Sequence, residues 1–147
     1  MQAIACHWAC FKIWDLSWAI ERDIRLAVKS GRKTIVTKLN DGKLGTIKSR
    51  ILKEALNKND AVVKSVMTQA ARVLGKTAVS LNHMFNPQAI IFGGGVIKAC
   101  GDFILPMVSQ EINADPFFRK FNTCRILSSN LGDDAVVLGA VRLAQQS

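Results

Sequence analysis

The stretch that most constrains this chain is residues 86–96, where a helix stop, an apolar run and three glycines follow one another. The Asn86-Pro87 pair ends the helical pattern before it, because proline disfavours a helical conformation in the residue that precedes it. The apolar run 89–92 is too short for a helix and is typical of a parallel strand covered on both faces. The glycines therefore stand at the carboxyl end of a buried strand, where ligands bind in open α/β sheets.

The candidate ligand contacts are Gly93, Gly94, Gly95 and Val96. Glycine has no Cβ, so the backbone of a glycine turn can approach a ligand closely. The triplet lacks both the G-x-G-x-x-G spacing of a dinucleotide site and the lysine of a phosphate-binding P-loop. A tight turn that needs positive φ explains three glycines equally well, and from the residues alone both interpretations stand.

Helical periodicity predicts two helices in the first third of the chain. The first is capped by Ser17 and ends at Gly31. Residues 34–39 carry β-branched side chains between lysines, which predicts a loop or a short edge segment. A second helix opens at Thr46 or Ser49.

The longest periodic pattern begins after Asp60, a predicted N-cap, and continues to Phe85. Gly75 interrupts this pattern. A glycine inside so regular a helix indicates that another backbone approaches closely at that point.

The pattern after the glycines predicts a βαβ unit. Gly101-Asp102 caps a helix over residues 103–112, residues 124–128 form a second apolar strand, and a final helix covers residues 135–144. Strand, helix, strand and helix in succession predict parallel strands with a right-handed crossover. The fold class is therefore α/β.

The charge of the chain is strongly basic, with 20 lysines and arginines against 11 acids and a net charge of +9. Such an excess can mark nucleic-acid binding. The basic residues between Arg22 and Lys64 are scattered, however, which favours a solvated basic surface. Phe117, Phe118 and Phe121 could stack on bases, but aromatics in such a connector more often pack under a sheet. Nucleic acid is therefore a disfavoured partner.

The cysteines and the apolar pattern indicate a cytoplasmic protein. Cys6, His7 and Cys10 lack the paired spacing of a structural zinc site, and Cys100 and Cys124 lie singly in apolar segments, as reduced, partly buried thiols do. No apolar run approaches the roughly 20 residues that span a bilayer. The start of the chain also lacks the pattern of a secretory leader.

Several motifs resemble the ROK family of bacterial sugar kinases and sugar-responsive repressors. The resemblance covers roughly residues 17–147 and matches the C-terminal half of the family in order and spacing. Its matching segments are Leu74-Gly75, Asn86-Pro87, residues 90–96, residues 131–135 and Gly139-Ala140. Residues 1–16 stand apart as an atypical N-terminal segment.

The resemblance implies the helix-rich C-terminal half of an actin-like, ribonuclease H-like ATPase fold with a short parallel βαβ core. In ROK kinases a cleft between two lobes holds ATP with Mg²⁺ and a hexose. The glycine loop that matches Gly93, Gly94 and Gly95 contributes to the adenosine side of the ATP site. The chain is thus similar to part of a glucokinase-like enzyme, with a nucleotide as partner and a hexose bound only in an intact parent protein.

Departures from the family pattern limit this expectation. The phosphate motif, the catalytic aspartate and the hexose ligands of the family have no counterpart in this sequence, and Cys6, His7 and Cys10 do not match the family's zinc motif. We therefore expect a fragment or truncated reading frame without catalytic or metal-ligating residues, inactive alone. The alternatives are the effector or dimerisation half of a ROK repressor and a basic nucleic-acid-binding module.

The predicted sheet also has a consequence for assembly. Two strands cannot make a full sheet, so backbone edges and apolar helix faces would stay uncovered. We therefore expect the isolated chain to dimerise, recruit a partner or aggregate, with a homodimer as the expected assembly.

Overall fold

The computed structural model describes residues 14–42, 44–120, 124–130 and 135–145. Helices and strands alternate in the second half of the chain, after a helical first half. In chain order the elements are α1 (Trp14–Lys29), α2 (Val36–Leu39), α3 (Ser49–Asn57), α4 (Ala61–Phe85), β1 (Ala89–Phe92), α5 (Gly95–Ala114), β2 (Arg125–Ser128) and α6 (Ala135–Ala144). No helix in these ranges is both long enough and apolar enough to cross a membrane.

The core lies between α4 and α5, with α1 and α3 packed at its sides. Its largest fully buried side chains include Met67 of α4 and Ile104 of α5. The predicted close approach at Gly75 is confirmed. A Cβ at Gly75 would lie 2.7 Å from Cβ of Glu111, a residue of α5, so only glycine permits this spacing of the two helices.

Asp60 caps α4 as the sequence predicts. One carboxylate oxygen accepts a hydrogen bond from the Val63 N–H at 2.9 Å, and the other accepts one from the Ile35 N–H at 2.8 Å. Burial raises the Asp60 pKa, but the hydrogen bonds outweigh it, so the pKa lies below its ordinary value. Asp60 therefore also fixes the segment between α1 and α2 against the start of α4.

The predicted parallel pair of strands is confirmed. Ala89 pairs with Arg125 and Phe92 pairs with Ser128, and α5 connects the two strands. The prediction of a strand covered on both faces is wrong. Ile90 packs against the core, but Ile91 is 65% exposed, because no element of the described ranges covers the second face of the sheet.

The helix after the glycines is longer than predicted. The sequence indicates residues 103–112, whereas α5 begins at Gly95 and contains a kink at Cys100, where φ is −124° and ψ is 15°. Gly101 and Asp102 therefore lie at the start of the second segment of α5 and not at the start of the whole helix. Buried side chains before the kink, Val96 and Ile97, anchor the first turn to the core.

Residues 34–39 also differ from the prediction of a loop or an edge segment. Val36–Leu39 forms one helical turn. The Thr34 hydroxyl accepts a hydrogen bond from the Val36 N–H at 3.2 Å, and the Val36 side chain is fully buried. Core packing of Val36 therefore outweighs the strand preference of the β-branched residues.

The aromatic connector after α5 is only partly buried. Phe118 is 4% exposed, as predicted, but Phe117 is 68% exposed, so the packing role predicted for it is wrong. Asp115 organises this turn by accepting hydrogen bonds from the Phe117 and Phe118 N–H groups, and it lies 3.2 Å from Nε2 of His83. Phe121 lies outside the described residues.

Candidate functional site

The candidate site is the turn that joins the carboxyl end of β1 to the amino end of α5. Strand β1 ends at Phe92, Gly93 follows it, and Gly94 is the N-cap residue of α5. Because β1 and β2 are parallel and pair Phe92 with Ser128, the carboxyl ends of both strands meet at this edge. The Ser129 N–H donates to the Phe92 carbonyl at 2.7 Å, which extends the ladder to the turn.

The three glycines meet different steric demands. Gly94 has φ 99° and ψ 168°, a region that essentially only glycine adopts. At Gly93 a Cβ would lie 3.2 Å from Cβ of Ser129, the residue after β2, so Ser129 limits the size of a side chain at position 93. At Gly95 a Cβ would meet only Oγ of Ser49, at an ordinary 3.7 Å. Backbone conformation and packing therefore explain Gly93 and Gly94 but not Gly95.

Within the described residues, the amino end of α5 has no side-chain cap. Its first helical hydrogen bond runs from the Lys98 N–H to the Gly94 carbonyl at 2.9 Å, so the N–H groups before Lys98 have no partner inside the helix. The N–H groups of the first turn point along the helix axis, at the positive end of its dipole. Such an end favours anionic or electron-rich ligand groups.

Val96 is placed differently from the glycines. The three glycines are exposed, whereas the Val96 side chain is 8% exposed and belongs to the core. Only its backbone can face a ligand at this edge. The predicted residues Gly93 to Gly95 thus form one exposed turn, and Val96 holds that turn to the core.

A groove runs along α5 from Ile97 to Ser109, close to the turn in sequence. Its volume is about 390 Å³, within the range of small-molecule sites. Its lining combines apolar side chains with polar and charged ones: Ile97, Lys98, Gly101, Asp102, Leu105, Pro106, Ser109 and Ser128. Ser128 lies at the end of β2, so the groove and the glycine turn share one edge of the sheet.

The titratable side chains of the described residues decide whether this part of the chain could bind a metal ion or supply a nucleophile. Within these ranges no three His, Cys, Asp or Glu side chains come together in a way that could hold a metal ion. Cys100 and Cys124 are buried, and burial raises the pKa of both thiols, which disfavours the reactive thiolate. The cysteine and histidine pattern at residues 6–10 and the carboxylates Asp133 and Asp134 lie outside the described residues.

Sequence reasoning missed the neighbours of the turn. Ser49 is predicted as a helix start, but its approach to Gly95 depends on how α3 packs against α5. Asp102 is predicted as a cap, whereas the structure places it in the groove. Ser128 and Ser129 could have been found, because the carboxyl ends of parallel strands always share an edge.

Comparisons with a family profile and with individual proteins point to the same family. A sequence profile described as the ROK family matches residues 19–147. The glucokinase of Halalkalibacterium halodurans is 32% identical over 108 residues, which cover 74% of this chain and 32% of that protein. The transcriptional dual regulator NagC of Escherichia coli K12 is 28% identical over 145 residues, which cover 97% of this chain and 34% of that protein.

The fold agrees with this family. A ROK family glucokinase from Streptomyces griseus, solved in complex with glucose and AMPPNP, superposes with a TM-score of 0.74 at 24% identity and covers 89% of this chain and 43% of that chain. The fold is therefore a helix-rich part of the ROK actin-like kinase fold with a short parallel sheet. The chain spans between about a third and somewhat under half of the length of these relatives. This chain belongs to the ROK family.

Proposed function

We propose that this chain forms the adenosine side of an ATP site in a glucokinase-like ROK sugar kinase. Residues 17–147 are the ROK-like lobe in this proposal, and residues 1–16 are a separate segment. The nucleotide binds at Gly93, Gly94, Gly95 and the Val96 backbone. Mg²⁺, a hexose acceptor, a homodimeric state and a cytoplasmic location belong to the same proposal.

The observation that carries the proposal is Gly95. The Gly94 conformation requires glycine, and Ser129 limits Gly93, but a methyl group at Gly95 would fit without strain. The first position of a helix also gains stability from alanine relative to glycine. A glycine there keeps the approach to the uncapped end of α5 open, which a ligand requires and the fold does not.

The described residues fit one part of an ATP site and not the whole of it. The free N–H groups at the start of α5 and the groove beside them suit a nucleoside. Phosphoryl transfer to a sugar also requires a general base on the acceptor hydroxyl and a metal ion that neutralises the triphosphate. Within the described residues no cluster of three His, Cys, Asp or Glu side chains could hold that metal ion. The role of this chain is to bind and orient the nucleotide.

The Gly95→Ala variant tests the nucleotide site. We expect unchanged or slightly raised thermal stability and a clear loss of affinity for a fluorescent ATP analogue. Gly45→Ala is the matched control, because a Cβ at Gly45 also meets nothing within 4 Å and Gly45 lies outside the turn. Equal affinity in wild type and Gly95→Ala would count against the proposal.

A second experiment tests the proposal that this chain does not phosphorylate a sugar by itself. Purified chain incubated with glucose, ATP and Mg²⁺ should form no glucose 6-phosphate above background in a coupled assay. Robust phosphorylation would show that the chain carries catalytic groups that the proposal denies it.

The second candidate is the effector or dimerisation half of a ROK repressor. The match to the regulator NagC over 97% of this chain favours it. In this case sugar binding or dimerisation would survive the Gly95→Ala change, and nucleotide affinity would be absent in the wild type.

A basic nucleic-acid-binding module is the third candidate, supported by the net charge of +9. Duplex DNA binding that falls steeply between two salt concentrations would favour it, because phosphate contacts release counterions.

A further inference from the structure

The groove beside the glycine turn contains one carboxylate that the fold does not use. Asp102 is exposed and lines the groove together with Lys98 and Ser128. In the part of the chain that the structure describes, the ion pairs join other residues, and neither Asp102 nor Lys98 has a charged partner within 4.0 Å. Both charges are therefore available to a molecule in the groove.

The position of Asp102 relates it to the proposed nucleotide. From Gly95 to Asp102 the helix advances roughly 10 Å at the usual rise per residue, about the length of a nucleoside. Asp102 lines the groove between Ile97, which precedes it on α5, and Leu105 and Pro106, which follow it. These apolar side chains suit a flat base, and Ser128 at the end of β2 lines the same groove.

A carboxylate in this position has a preferred partner. An ionised carboxylate only accepts hydrogen bonds, and two neighbouring hydroxyl groups can donate to its two oxygens. A carboxylate that accepts from ribose hydroxyls is a recurrent way in which α/β proteins bind nucleotides. Adenine and phosphate groups offer no such pair of neighbouring neutral donors.

We propose that Asp102 accepts hydrogen bonds from the ribose hydroxyls of the nucleotide bound at the glycine turn and so selects ribonucleotides over deoxyribonucleotides. This inference rests on the proposed nucleotide site. It assigns a specificity role to a residue whose sequence position suggests only a helix cap.

The competing explanation is purely structural. The kink at Cys100 starts a new helical segment at Gly101, and a carboxylate in the first turn of a segment stabilises the helix dipole. A residue with this role alone would affect stability. It would not distinguish a ribose from a deoxyribose, so sugar discrimination separates the two explanations.

The test measures dissociation constants of the full chain for ATP, 2′-deoxy-ATP and 3′-deoxy-ATP by NMR titration to millimolar nucleotide. In wild type each missing hydroxyl should weaken binding roughly tenfold, the value of one charge-assisted hydrogen bond. In Asp102→Ala the three nucleotides should bind equally, roughly tenfold more weakly than either deoxy form binds to wild type, because both hydrogen bonds are then lost. Asp102→Asn should give an intermediate ratio. Asp23→Ala, the same charge change on α1, should keep the wild-type ratio.

The outcomes separate this inference from the function on which it rests. If wild type binds the three nucleotides equally, or if Asp102→Ala lowers all three affinities by the same factor, Asp102 does not read the ribose, although the nucleotide site stands. If no adenine nucleotide binds to the wild-type chain at all, both the site and the role of Asp102 are overturned. Because the readout is a ratio within one protein, a modest loss of stability in a variant does not affect it.

Discussion

Replacing Gly75 with alanine should push α4 and α5 apart. The added Cβ would lie 2.6 Å from Cγ and 2.7 Å from Cβ of Glu111, well inside the 3.5–4.0 Å at which carbon atoms normally touch. The Cγ atom can move by a change of rotamer, but Cβ is bonded to the backbone. The helices themselves must therefore shift.

The magnitude follows from two opposing terms. Overpacking a core contact costs about 1–3 kcal/mol, and the fixed position of the Glu111 Cβ places this contact in the upper part of that range. Alanine in place of glycine inside a helix gains about 1 kcal/mol. We expect Gly75→Ala to lower the free energy of unfolding by about 1–2 kcal/mol.

Urea unfolding followed by circular dichroism measures this change, with Gly139→Ala as the matched control. Gly139 lies inside α6, and a Cβ there meets nothing within 4 Å, so this change should show only the helix-favouring effect of alanine. The double variant Gly75→Ala/Glu111→Gly removes the obstructing atoms. In the Glu111→Gly background the alanine at position 75 should become neutral or stabilising.

A Gly75→Ala protein that is more stable than wild type by about 1 kcal/mol, the propensity gain alone, would refute this reasoning. It would mean that α4 and α5 do not approach closely at this point. An equal loss of stability with and without the Glu111 side chain would place the clash elsewhere.

Three further predictions follow from other contacts. Asp60→Ala should destabilise the fold by about 2–4 kcal/mol in urea unfolding, because the helix loses its cap and the Ile35 N–H loses its partner. The Asp60 pKa is lowered in the folded state, so its contribution to the free energy of unfolding is complete above the unfolded pKa and is lost as the pH falls through the folded pKa. A free energy of unfolding that does not fall on acidification of the wild-type protein would contradict this. The hydrogen bond from His83, together with two backbone N–H groups, lowers the Asp115 pKa. An NMR titration of the carboxyl group should therefore give a pKa below the ordinary value in wild type and a higher pKa in His83→Ala. Equal pKa values in both proteins would refute the contact. Light scattering should show a homodimer, because the sheet leaves Ile91 uncovered, and a well-behaved monomer would argue against it.

Local rules predicted most of the elements from the sequence. Asp60, Gly31 and Asn86-Pro87 mark helix ends by chemistry that acts within a few residues. Residues 89–92 and 124–128 show the apolar pattern of strands, and their parallel pairing follows from the helix between them. Even Gly75 could be interpreted, since a glycine in a regular helix indicates a close neighbour.

The errors arise where distant contacts decide the structure. Val36 lies in a helical turn because the core takes its side chain. Burial of Val96 and Ile97 lets α5 begin directly after the glycines, although residues 95–101 lack a helical cap signal. Phe118 is buried beside His83 of α4, whereas Phe117 is exposed although its ring also lies near His83.

The candidate site shows the same division. The glycine turn is visible in the sequence, because its residues are consecutive. Ser49 reaches it only through the packing of α3, which no local pattern indicates, whereas the position of Ser129 follows from the parallel pairing of β2. The charged groove residues Lys98 and Asp102 lie near the turn because α5 already begins at Gly95.

The most direct test of the central claim is an NMR titration of the ¹⁵N-labelled chain with ATP and Mg²⁺. We predict that amide shifts change at Gly93, Gly94, Gly95 and Val96 and along the groove face of α5, and that Gly95→Ala reduces these changes. Shifts confined to another surface, or no shifts at millimolar ATP, would contradict the assignment of this turn as a nucleotide site.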